Sequence, residues 1–222
     1  EINDFKPDLA VFHYPNPFAA HYLLKQLKKH PEIIVIADEI YEHINYIGKH
    51  NSIAQMDGMK DRTVIVNGVS KAYAMTGWRL GYCCGPANIM EQMIKIHQFA
   101  IMCAPTTSQY AAIEALKNGM PDVERMREAY NQRRRFLVKA LREMGLPCFE
   151  PYGAFYVFPN ISKFGMTSEE FATRLLHEKR VAVVPGDAFG KCGEGFLRIS
   201  YAYSIEDLKK ALEKIKEFID TL

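Results

Sequence analysis

The stretch Asn67-Gly68-Val69-Ser70-Lys71-Ala72-Tyr73-Ala74-Met75-Thr76-Gly77-Trp78-Arg79-Leu80-Gly81-Tyr82 decides how this chain is read. It follows Val64-Ile65-Val66, a short apolar run that reads as a buried strand. Lys71 stands in the irregular segment after that strand, among small and aromatic residues rather than on a charged helix face. A lysine so placed can lose hydration, which favours its neutral, nucleophilic amine. Arg79 lies further along the same segment and keeps its charge. The pair admits two readings: two solvated cations in a loop, or an amine beside a fixed fork donor, which suits a carbonyl compound carrying phosphate.

Toward the N-terminus, Ile33-Ile34-Val35-Ile36-Ala37 is apolar at successive positions, the mark of a central parallel strand. Asp38 closes that run, and Glu39-Ile40-Tyr41 follow. Open α/β sheets bind ligands at the carboxyl ends of their strands. Asp38 therefore either faces a ligand or caps a following helix. Earlier still, Leu9-Ala10-Val11-Phe12-His13-Tyr14 reads as a strand that leaves at Pro15, and Asn16-Pro17 by itself reads as a turn. A helix is expected from Ala19 to His30, stopping ahead of Pro31.

Toward the C-terminus, Leu80 to Cys84 reads as a further strand before Gly85-Pro86. Two helical patterns follow. The first puts Ile89, Met93, Ile96 and Ala100 on one face, read as core packing; the second opens at Pro105 and ends near Gly119. Strands alternating with helices argue for an α/β, doubly wound, mostly parallel sheet. Gly119-Met120-Pro121-Asp122 is the expected boundary, giving domains 1–119 and 120–222. The second part holds a long helix with Met126, Tyr130, Leu137, Leu141 and Met144 near one stripe, ending at Gly145. Strands are expected at 153–158, 181–184 and 196–201. Thr167-x-x-Glu170 and Ser204-x-x-Asp207 open helices, the last with Leu208, Leu212, Ile215, Ile219 and Leu222 on one face. Without a βαβ rhythm, this half reads as a small α+β domain. Arg198 sits in an apolar strand between Leu197 and Ile199 and points away from both. It needs an anion, supplied by an internal salt bridge or by a bound carboxylate.

Bulk properties narrow the function classes. Of 222 residues, 48% are hydrophobic, enough for a sizeable core. The net charge is +2, and the longest basic run, Arg133-Arg134-Arg135, falls in a helical pattern, so nucleic-acid binding has no support. No apolar run approaches the roughly 18 residues of a membrane span, and no charged-then-apolar signal opens the chain. Five cysteines without a C-x-x-C pair read as reduced thiols of a cytoplasmic protein. No G-x-G-x-x-G, Walker A, H-E-x-x-H or G-x-S-x-G motif occurs, so no nucleotide, metal or serine-hydrolase site is expected.

The Ser70-Lys71 pair followed by Gly77-Trp78-Arg79-Leu80-Gly81-Tyr82 resembles the lysine motif of the class I/II aminotransferases, enzymes of aspartate, aromatic and similar amino acids. Other segments share the resemblance: Asn16-Pro17, Asp38-x-x-Tyr41, Gly153-Ala154-Phe155-Tyr156, Val184-Pro185-Gly186 and Phe196-Leu197-Arg198-Ile199-Ser200-Tyr201. The family usually has N-P-T-G at the first of these; Phe18 and Ala19 depart from it. The resemblance implies pyridoxal 5'-phosphate as cofactor. It implies that Lys71 forms the Schiff base, Asp38 holds the ring nitrogen protonated, and Asn16 and Tyr41 contact the ring oxygen. It assigns Arg79 to the phosphate. Ser70 is a weaker phosphate candidate, because Gly68 stands where some members carry a serine. Arg198 would hold the α-carboxylate of the substrate, with Asn16 also at the substrate side.

The implied reaction is transfer of an amino group between an L-amino acid and a 2-oxo acid, with Lys71 as base then acid, in a ping-pong sequence. A C–S lyase or synthase on the same scaffold would use the same residues, and a non-catalytic fragment is the third alternative. Family members carry a substantial part ahead of the N-P motif, so this chain is expected to be the C-terminal portion of a homodimeric enzyme and to be incomplete alone.

Overall fold

The computed structural model describes residues 9–13, 22 and 24–222. The chain divides into two compact units, Glu1–Arg125 and Met126–Leu222.

The first unit is built on a four-stranded sheet of order β1-β2-β3-β4, made of β1 (Leu9–His13), β2 (Ile34–Asp38), β3 (Thr63–Gly68) and β4 (Gly81–Cys84). The first three strands are parallel, in a register that sets His13 beside Asp38 and Asp38 beside Val66. Val35, Ala37 and Val64 are buried, as continuous apolar runs in parallel strands require. The last strand departs from that rhythm: β4 runs antiparallel to β3, with Gly68 opposite Gly81. A parallel return needs a crossover of a dozen or more residues, usually a helix. Residues 69–80 form turns and one 3-10 turn instead, so the chain can only come back as a long hairpin.

Leu27, Ile33, Val35, Ala37, Ile53 and Met59 form the core beside this sheet. Of the helix expected over 19–30, residues 22 and 24–27 are helical and the rest of its first part lies outside the described residues. Arg62 closes the end of that helix: its guanidinium donates to the carbonyls of Leu27 and His30 at 2.8 and 2.6 Å. Those carbonyls each accept only one local i+3 backbone bond, leaving capacity for the guanidinium, and a cation there also suits the helix dipole.

Three helices follow: α1 (Ala87–Ala100), α2 (Thr106–Asn118) and α3 (Met120–Glu143). The division between the units falls within α3. The apolar stripe on α1 corrects the sequence reading. Ile89 is half-buried, but Met93, Ile96 and Ala100 are exposed, and Phe99 is 95% exposed. Helical periodicity identifies an apolar face; it does not say whether the same chain covers that face.

The second unit holds a three-stranded antiparallel sheet of order β5-β7-β6, made of β5 (Tyr156–Val157), β6 (Val184–Pro185) and β7 (Leu197–Ser200). All three strands are shorter than their apolar runs. At the first, Ala154 takes a φ of 56°, which breaks the extended run before Tyr156. Helices α4 (Ser168–Lys179) and α5 (Ile205–Ile219) pack against each other, with the Phe171 and Phe218 rings edge to face at 5.0 Å. Both helices start as the sequence predicts. Thr167 Oγ1 accepts from the Glu170 N–H at 3.1 Å, and Ser204 Oγ accepts from the Asp207 N–H at 3.0 Å. Each such cap contributes about 1 kcal/mol. On α5 the buried face is Leu208, Leu212, Ile215 and Phe218. Leu222, placed on that face by spacing, lies past the helix end and is exposed.

Candidate active site

The sheet of the first unit brings several sequence-predicted residues to one edge. Asp38 ends β2, and Lys71 follows shortly after the end of β3, its parallel neighbour. The loop 69–80 leaves and re-enters the sheet at that same edge, because β3 and β4 pair there through Gly68 and Gly81. Ser70, Lys71 and Arg79 are therefore all presented at the carboxyl end of the parallel strands, where open α/β sheets hold ligands.

The loop is held locally. Val69 and Ala72 are buried and anchor its base. The Met75 N–H donates to the Val69 carbonyl at 3.3 Å, and the Ala74 N–H to the Lys71 carbonyl at 3.2 Å. Two non-glycine residues, Ala74 and Arg79, take left-handed backbone with φ of 53°. Such conformations cost about 1 kcal/mol or more each and gather at ligand-binding loops. Ser70 and Lys71 are half-buried, and the Lys71 ammonium lies 5.9 Å from the centre of the buried Tyr41 ring. Arg79 is exposed; one arm of its guanidinium donates to the Thr76 carbonyl at 3.0 Å.

Gly68 is closely confined. A side-chain carbon there would stand 3.0 Å from Gly81 Cα and 3.1 Å from the Leu80 carbonyl oxygen. Both neighbours are backbone atoms of the paired strand. A serine at this position would press on the β4 chain, which gives a physical reason for glycine in this sequence.

Asp38 is half-buried, and its carboxylate accepts from the Ile40 N–H at 3.2 Å. The sequence left open a helix-capping role, but residues 40–43 form turns and no α-helix follows Asp38. The bond to Ile40 instead fixes the bend that carries Tyr41. Behind this bend lies a polar network that sequence reading missed. Glu39 is buried; it accepts from Ser52 Oγ at 2.6 Å, and His50 Nε2 stands 2.9 Å from its other oxygen. The Glu39 N–H donates to the Val66 carbonyl at 2.9 Å, tying the bend to β3. The only hint in the sequence is a second acid directly after Asp38, which a single sequence cannot distinguish from a surface carboxylate.

Next to this network, a hydrogen bond from His43 holds the Glu42 carboxyl below the usual carboxylate range, against the opposing effect of burial. Burial pushes the Tyr73 and Tyr82 hydroxyls up, and the charge of Glu42 adds to both. The His43 and Tyr73 rings meet edge to face at 6.4 Å, so the 42–43 turn packs on the Lys71 loop.

Asn16 lies outside the described residues. Arg198 belongs to the second unit, on central strand β7 opposite Val184. Its guanidinium carbon lies close to the Tyr156 and Phe189 rings, and among the described residues no carboxylate pairs with it. The internal salt bridge considered from the sequence is not formed there. The second unit also contains a cavity of about 510 Å³ bounded by residues 180–184, 198–200 and the inner face of α5. Its lining residues all belong to the second unit and include Arg198.

The chain can be set beside known proteins. Residues 18–215 match aminotransferase class I and II, and the chain belongs to that family. It is 50% identical to an aspartate aminotransferase of Pyrococcus abyssi over 85% of this chain and 49% of that protein. It is 44% identical to aromatic-amino-acid aminotransferase 2 of Thermococcus litoralis, again over 85% of this chain and 49% of that protein. The crystal structure of an aromatic aminotransferase from Pyrococcus horikoshii superposes with a TM-score of 0.93 at 42% identity, covering 99% of this chain and 62% of that one. The PLP-dependent aminotransferase fold is thereby shared. The chain spans about half the length of the curated relatives it matches. Among the described residues no helix is long and apolar enough to cross a membrane.

Proposed function

We propose that this chain is the C-terminal portion of a cytoplasmic aminotransferase that uses pyridoxal 5'-phosphate to move an amino group from an L-amino acid to a 2-oxo acid. Residues 1–119 are the second half of the large cofactor domain and 120–222 the small domain. The observation that carries the reading is the gathering of Asp38, Tyr41, Lys71 and Arg79 at one sheet edge, with Lys71 half-buried over the Tyr41 ring.

These groups fit the cofactor chemically: an amine for its carbonyl, a carboxylate for its ring nitrogen, a phenol for its ring oxygen and a guanidinium for its phosphate. Bound pyridoxal 5'-phosphate supplies an electron-withdrawing ring that stabilises charge at the substrate α-carbon. The Asp38 carboxylate holds a proton at the ring nitrogen. Lys71 Nζ takes the α-proton and returns it, as base and then acid. Tyr41 and Asn16 donate to the ring oxygen. Arg79 anchors the phosphate with the donors not committed to Thr76, and the Ser70 hydroxyl adds a further donor. Arg198, unpaired by any described carboxylate, binds the substrate carboxylate with its fork.

The exposed apolar residues of α1 and α2 support a homodimer. Ile94, Ile96, Phe99, Ile113 and Leu116 are each about half or more exposed, and a partner subunit would take such side chains out of water.

The test is reduction of the cofactor-loaded full polypeptide with borohydride, followed by peptide mapping. A label on Lys71 is the expected result, and a label on any other lysine ends the assignment. In parallel, the 222-residue chain alone is titrated with pyridoxal 5'-phosphate through its visible absorbance. Weak binding is expected; tight, stoichiometric binding with full transamination would show that no further part is needed.

A further inference from the structure

The guanidinium carbon of Arg198 lies 4.5 Å from the centre of the Tyr156 ring and 4.4 Å from the centre of the Phe189 ring. The two rings come from different parts of the second unit. Tyr156 is on β5, paired with Ser200 and therefore diagonal to Arg198 on the same sheet face. Phe189 ends the 3-10 turn Gly186–Phe189, which follows β6.

The Phe189 turn is built to lie where it does. The backbones at Gly186 and Gly193 touch, so that a side-chain carbon at either glycine would collide with the carbonyl oxygen of the other. Gly190, between them, takes a φ of 115° that other residues avoid. The segment folds back on itself, and Phe158 braces the Phe189 ring edge to face at 5.8 Å. Phe189 is 48% exposed, so one side of its ring is open to solvent.

A guanidinium has five N–H donors, all in its plane, and two π faces that attract aromatic rings. With two rings within 4.5 Å of the guanidinium carbon, the directions from which an anion can approach are narrowed, and the in-plane N–H rim is the part that can still donate. A flat carboxylate meets that rim with two parallel hydrogen bonds. A tetrahedral phosphonate offers two oxygens in the plane, but its third oxygen and its carbon then project to either side of that plane, where the rings crowd them.

We propose that Tyr156 and Phe189 are positioning residues that fix the plane of Arg198 and make its site selective for a flat carboxylate over a tetrahedral anion. The proposal rests on the reading of Arg198 as the substrate-carboxylate site and adds what sets that site's selectivity. The experiment uses the cofactor-loaded full polypeptide with variants Phe189→Leu, Phe189→Tyr, Tyr156→Leu and Arg198→Lys. The probes are an amino acid that the enzyme turns over and its aminophosphonate counterpart, in which a tetrahedral phosphonate replaces the carboxylate. Measured are KM and kcat for the amino acid, the inhibition constant of the phosphonate, and the melting midpoint.

Phe189→Leu and Tyr156→Leu should each raise KM about tenfold with kcat nearly kept, as loss of a partly desolvated cation–π contact implies. The preference for carboxylate over phosphonate should fall by a similar factor. Phe189→Tyr should restore both, and Phe189→Leu should melt close to the parent because that ring is half exposed. If Arg198→Lys weakens amino-acid binding while both leucine variants keep KM and preference, the rings are mere packing and the proposal is overturned. If Arg198→Lys itself changes nothing, the carboxylate reading beneath it fails instead.

Discussion

Replacing Gly68 with alanine tests whether the Lys71 loop is held by the close approach of β3 and β4. The added carbon would sit 3.0 Å from Gly81 Cα and 3.1 Å from the Leu80 carbonyl oxygen. Comfortable carbon contacts begin near about 3.5 Å, so several tenths of an ångström must be given up. Neither neighbour can rotate away, because both are backbone. Overpacking of this kind costs about 1–3 kcal/mol. Against it, alanine restricts the unfolded chain and returns about 0.4–1 kcal/mol wherever the native backbone suits it. Gly68 is not among the positive-φ glycines, so that credit applies. The steric cost wins, leaving a net loss of about 1–2 kcal/mol. For a unit of this size that loss should lower the midpoint by roughly 3–10 °C. The chain has a single tryptophan, Trp78, and it lies in the very loop under test, so its fluorescence reports on the first unit alone. Gly77→Ala is the internal control: nothing lies within 4 Å of the added carbon, and stability should hold or rise slightly. Equal midpoints for Gly68→Ala and the parent would refute the claim that strand proximity excludes a side chain here.

Three further outcomes are expected. Ser52→Ala removes the hydroxyl that donates to buried Glu39, so the Trp78 midpoint should drop by an amount equivalent to about 1–3 kcal/mol, which urea titration measures. Glu42 has a depressed folded-state pKa, so its contribution to stability is present above the unfolded carboxylate range and is lost as pH falls through the lowered folded value. In acid titrations followed at Trp78, Glu42→Gln should accordingly be less stable than the parent near neutrality, and the gap should close below the usual carboxylate range. Asp38→Asn in the cofactor-loaded full polypeptide should keep the fold, since the amide oxygen can still accept from the Ile40 N–H, and lose most turnover, measured by single-turnover kinetics; normal turnover would show that the negative charge of this side chain is not needed.

The sequence alone was enough to recognise the parallel strands, because runs such as Ile33 to Ala37 are apolar on both faces and only a doubly covered sheet accommodates them. It was also enough for the α4 and α5 starts, since capping is a contact between residues three apart and leaves a local signature. The Lys71 segment stood out for a different reason: its likeness to the class I/II aminotransferase pattern is carried by one continuous stretch, residues 70–82. Tertiary structure decided the rest. The reversal of β4 depends on Gly68 meeting Gly81 across a hairpin, which no local pattern announces. The α1 stripe has the same periodicity whether or not it is covered, and only the fold shows it exposed. Glu39 became a buried acid through Ser52 and His50, residues more than ten positions away in the chain. Arg198 meets two aromatic rings because β5 and the turn after β6 converge on it. Local propensity and periodicity act over a few residues, whereas these contacts join distant segments and exist only once the chain has folded.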